Sequence, residues 1–60
     1  MEATKIAEYA QALYTAHGDR AEAEAAQRAN AALTERKTSE AETWQAVRAT
    51  IRRLRGPNQG

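Results

Sequence analysis

The sequence predicts an all-α fold of three short helices, with the second and third forming an antiparallel hairpin. Three observations carry that prediction. Alanine, the strongest helix former, supplies 15 of the 60 residues, and the single proline is Pro57, so no helix is broken from within. Two interruptions, Gly18-Asp19 and Thr38-Ser39, cut the chain into lengths typical of globular helices. Between them the larger apolar residues recur at spacings of three and four, the period of one helix face.

The first helix is expected over 3–17, where Ile6, Ala10, Leu13 and His17 share a stripe edged by Tyr9 and Tyr14. Thr4, Glu8, Gln11 and Thr15 lie opposite. Gly18 is the residue type that usually follows a helix end. Asp19-Arg20-Ala21-Glu22 then reads as an N-cap with a glutamate three residues later, opening a second helix over 20–37. Its inward face is Ala21, Ala25, Ala29 and Ala32, with Ala26 and Leu33 alongside. So small a face lets neighbouring helices approach to about 8 Å, the short end of the usual range. Ser39-Glu40-Ala41-Glu42 repeats the capping pattern and opens a third helix over 40–55, striped by Trp44, Val47, Ile51 and Leu54. Gly56-Pro57 ends it, leaving 1–55 as one domain and 56–60 as a mobile tail.

Charge order favours the antiparallel pairing. The second helix begins with Asp19, Glu22 and Glu24 and ends with Arg36 and Lys37; the third begins with Glu40 and Glu42 and ends with Arg48, Arg52, Arg53 and Arg55. A tight turn sets each acidic start beside the other's basic end, which also suits both helix dipoles.

Size argues for association. Folding a chain of 6.6 kDa buries roughly 3,000 Å² of apolar surface, about 80 kcal/mol, against about 75 kcal/mol for ordering some 50 residues. The difference is marginal, and an alanine-rich interior falls below the average in burial. With no cysteine and no zinc-ligand cluster, oligomerisation or a partner chain is the remaining staple. The expected partner-binding residues are Ile6 and Leu13 on the first helix and Trp44, Val47, Ile51 and Leu54 on the third.

Arg48, Arg52 and Arg55 stand at i, i+4 and i+7, a basic stripe that repels itself and invites an anionic neighbour. That neighbour is either an acidic or phosphate-bearing partner, or the acids Asp19, Glu22 and Glu24 of the second helix. A regulatory nucleic-acid-binding module using the C-terminal arginines, Arg53 included, is the alternative function. Against it, Glu40 and Glu42 occupy the end a recognition helix would present to bases, and the net charge is only +1.

No enzyme is expected, and no cofactor or metal site. His17 is the single histidine and suits the dipole at its helix end; Ser39 is the single serine and is explained as a cap. The glycines, Gly18, Gly56 and Gly60, make no phosphate loop. Trp44 serves either as the main core residue, with Arg48 lying over its ring, or as an interface anchor. The start of the chain lacks the basic and apolar regions of a signal peptide, and no apolar run spans a bilayer, so a cytoplasmic protein is expected. Seven arginines against two lysines, with so much alanine, point to a GC-rich bacterial source.

Tyr14, Gly18-Asp19 and Ala23 resemble part of a tetratricopeptide-type hairpin, from which Gln11, Asn30 and Glu35 depart. More of the chain is similar to short uncharacterised α-helical proteins of GC-rich bacteria. The runs concerned are Ala12-Leu13-Tyr14 to Gln27, and Glu42, Trp44, Val47-Arg48, Ile51-Arg52 and Arg55-Gly56-Pro57. That resemblance implies no activity. The expected function is therefore a non-catalytic protein–protein interaction module, either a homo-oligomer or a small accessory subunit of a larger assembly.

Overall fold

Helix α1 spans Ala3–His17, α2 Arg20–Thr34 and α3 Thr38–Leu54, in a computed structural model that describes residues 3–56. The described residues include no strand. Most of the tail expected to be mobile, 57–60, lies outside the described residues, as do Met1 and Glu2.

The most extensive packing is between α2 and α3, and α1 rests more on α3 than on α2. Arg55, just past the end of α3, reaches Glu22 and Asp19 at the start of α2, so the two helices run antiparallel. Because Asp19 follows α1 by two residues, the ends of α1 and α3 lie at the same end of the bundle.

The interior is mostly alanine. Ala21, Ala25, Ala29 and Ala32 form the buried face of α2, as their spacing predicts. Ala10 and Ala41 are their buried counterparts on α1 and α3. Val47 and Ile51 are the largest side chains fully buried, each 0 % exposed. Ile6, Leu13, Tyr14 and Trp44 pack against this centre while keeping part of their surface in water. Helices come close through methyl groups, and the bulky side chains wedge in from the sides. Thr34, Thr43 and Thr50 fit the helices by donating their hydroxyls to the carbonyls of Asn30, Ser39 and Ala46, four residues back.

The turns depart from the sequence expectation. Helix α2 ends at Thr34, three residues before the expected limit, because Arg36 turns left-handed with φ 61°. The Lys37 N–H then donates to Ala32 O at 2.8 Å and the Arg36 N–H to Leu33 O at 3.0 Å, the paired bonds of a Schellman ending. This geometry delivers the chain straight into α3 at Lys37, whose carbonyl accepts the Ala41 N–H at 2.9 Å. Ser39 is consequently inside the first turn of α3 and is not its cap, and α3 begins at Thr38, not residue 40. At the other end α3 closes at Leu54, with Arg55 as C-cap. Asp19 precedes α2 as expected, but its φ of −63° and ψ of −18° are helical and its carboxylate makes no capping bond. That side chain faces Arg55 instead, at 3.6 Å.

Gly18 separates α1 from α2 with φ 61°, a conformation that costs an L-residue about 1–2 kcal/mol. Arg36 carries the same cost without glycine's relief. Arg36→Gly is therefore expected to stabilise the fold by about 1 kcal/mol, read as a higher urea midpoint with unchanged slope. A lower midpoint would contradict the left-handed turn.

Candidate functional site

Two of the three striped arginines are engaged within the chain. Arg55 Nη1 donates to Glu22 Oε1 at 2.6 Å, and its Nε lies 3.6 Å from Asp19 Oδ1. Arg48 Nε stands 3.8 Å from the second Glu22 oxygen. Glu22 is thus the hub, its two oxygens shared between arginines at either end of the stripe. Arg52 and Arg53 have no ion-pair partner among the described residues. Glu24, expected to serve the same stripe, instead meets His17 Nδ1 at 2.8 Å and ties α1 to α2 across the Gly18 turn.

Glu22→Gln keeps the shape and removes the charge. It is expected to cost about 1–2 kcal/mol, since hydrogen bonds to charged groups exceed neutral ones and two guanidinium groups lose their shared partner. A thermal melt of the variant checks this, and an unchanged midpoint would show the contacts to be idle.

Near mid-height of the bundle lies an aromatic cluster. Tyr9 of α1 meets Trp44 edge-on, with ring centroids 5.5 Å apart and planes at 72°. Arg28 of α2 sits 5.2 Å from the centroid of the Trp44 ring. The cation expected there from sequence was Arg48, one turn along α3; it is Arg28 because Arg48 is drawn to Glu22. Beside the cluster runs a groove of about 410 Å³ lined by Tyr9, Glu40, Thr43, Trp44 and Val47. Arg28, Glu40 and Thr43 had no signal in the sequence, since they join the site through packing between helices.

The six expected partner-binding residues divide. Val47 and Ile51 are consumed by the chain's own interior, and only the edge of Val47 reaches the groove floor. Ile6, Leu13 and Trp44 are half-buried, whereas Leu54 is 41 % exposed. Tyr9, at 42 %, and Leu33, at 51 %, add exposed bulk that the sequence reading did not assign to the interface.

At the α2–α3 turn, Lys37 approaches Glu35 at 3.2 Å and Glu40 at 4.0 Å. The hydrogen bond that the ammonium donates to Glu35, then the charges of Glu35 and Glu40, hold the Lys37 pKa above the ordinary lysine value. No group of three or more histidine, cysteine or acidic residues that could hold a metal occurs among the described residues. No helix there is long and apolar enough to cross a membrane. No protein-family model, no curated protein and no solved structure matches this chain.

Proposed function

We propose that this chain is a non-catalytic protein–protein interaction module, a homo-oligomer or a small accessory subunit of a larger assembly, docking through the groove between α1 and α3. The observation that supports this most is the distribution of bulk. Val47 and Ile51 are the largest side chains fully buried, while Tyr9, Leu33 and Leu54 stand exposed and Trp44 is half-covered beside an apolar groove. Single exposed leucines are ordinary, but two aromatic rings in contact beside an apolar groove form a contiguous patch of the kind that marks an interaction site. Trp44, flanked by Tyr9 and Arg28, has the composition of an interface hot spot, where tryptophan, tyrosine and arginine concentrate.

The nucleic-acid reading gains no support from the arginine stripe, because Arg48 and Arg55 already face carboxylates. Catalysis by a serine–histidine pair finds little footing either. Ser39 opens α3 and His17 closes α1, which places them at opposite ends of the bundle, about 20 Å apart along the helices.

The test is the mass of the purified chain by sedimentation over a wide concentration range, with capture from the source cell as a second arm. The expected result is a mass above the monomer, or a captured protein that Trp44→Ala releases. A monomer throughout, with no capture dependent on Trp44, overturns the reading.

A further inference from the structure

A single residue breaks the path from α1 to α2. Of the two residues between them, Asp19 is already helical, and Gly18 alone departs, with φ 61°. Gly18 still makes the helical bond of α1, its N–H donating to Tyr14 O at 2.7 Å. Apart from its chain neighbours, nothing lies within 4 Å of where a Cβ would stand on Gly18. Asp19 adds no side-chain cap to hold the break in place. Turning Gly18 to helical angles therefore joins residues 3–34 into one helix. The carbonyls that end α1 then accept from the N–H groups that open α2.

The apolar faces stay in phase across that joint. Ala10 and Ala21, both fully buried, are eleven residues apart, three helical turns to within about 20°. In the closed chain the two meet because α1 folds back over the α2–α3 hairpin. Opening takes Ile6, Leu13 and Tyr14 away from Ala21, Val47 and Ile51, and both sides lose their cover. A second opened copy returns the missing α1 to each hairpin when the long helices lie antiparallel, about a two-fold axis at Gly18. That axis sets both α3 helices on one side of the pair, which requires the α1 and α2 faces to be in phase. His17 and Glu24, 2.8 Å apart in the closed chain, then pair between copies.

We propose that two copies of this chain associate by exchanging α1, each opening at Gly18 into a continuous helix over 3–34. The proposal rests on the homo-oligomeric form of the interaction reading. The groove beside Trp44 is then built from α1 of one copy and α3 of the other.

Gly18→Ala penalises the left-handed angle and favours the helix at two hinges per dimer, so dimerisation is expected to tighten about a hundredfold or more. Gly18→Asn, which tolerates left-handed angles, is expected to stay within about tenfold of the wild type. Sedimentation reads both. Exchange itself is read by spin labels on Lys5→Cys and Ala31→Cys, both exposed positions, in one chain diluted into unlabelled protein. The closed chain holds these sites at one end of a bundle 23 Å by 19 Å across, and the opened helix holds them about 39 Å apart.

A wild-type dimer in which the label distance stays short overturns the exchange and leaves the interaction reading standing. So does a Gly18→Ala variant that associates no more tightly than Gly18→Asn. A wild-type chain still monomeric at millimolar concentration also overturns the exchange. The interaction reading falls with it only when capture through Trp44 fails as well.

Discussion

Ile51→Ala is expected to lower the stability of the fold by about 2–5 kcal/mol, a large share of the total. Ile51 is one of two large side chains with no exposed surface, and it sits among Ala10, Ala21, Ala25 and Val47. Removing its branched end costs about 2–5 kcal/mol, the lost transfer energy plus the cavity left behind. A domain of 60 residues at the usual ~0.05–0.15 kcal/mol each holds only about 3–9 kcal/mol in total. Leu33→Ala, at a site 51 % exposed, removes a similar volume and is expected to cost less than about 1 kcal/mol. Far-ultraviolet circular dichroism against urea separates the two. Equal losses would mean that Ile51 does not occupy the centre of the fold.

Ala25→Leu has the opposite chemistry and the same direction. Leucine equals alanine closely in helix propensity and adds apolar surface, so composition alone predicts a gain. Ala25 is fully buried, however, in the cluster that contains Val47 and Ile51. Three added carbons must force the helices apart or drive side chains off their rotamers, at about 1–3 kcal/mol or more. Ala23→Leu, on the exposed side of the same helix, is expected to change stability by less than about 0.5 kcal/mol. A stabilised Ala25→Leu variant would show the alanine face to be loosely packed.

The helix faces were legible because alanine spacing is a local property. Ala21, Ala25, Ala29 and Ala32 repeat at four, four and three, and no other arrangement of that segment buries so many methyl groups on one side. The turn between α2 and α3 was not legible. Its left-handed residue is Arg36, where glycine is the usual signal, and Ser39 offered a plausible cap two residues too late. Charge order located the α2–α3 pairing, yet it could not choose between Glu22 and Glu24. Residues two apart on a helix point about 200° away from each other, so only one of them can face α3. Glu22 does, and Glu24 turns to His17 on the α1 side. Arg48, one helical turn from Trp44, is the cation that local spacing offers to its ring. Arg28 is there instead because it comes from another helix, and the register between helices is written in no single segment. The groove depends on that same register, since Tyr9 and Trp44 are 35 residues apart in sequence.

The midpoint of thermal unfolding, followed by helicity across a hundredfold range of protein concentration, is the most direct measurement of whether bulk withheld from the interior is used between chains. For a dimer whose folding and association are linked, the midpoint rises by about 5–10 °C over that range. A midpoint above about 65 °C that does not move with concentration would instead describe a chain complete in itself.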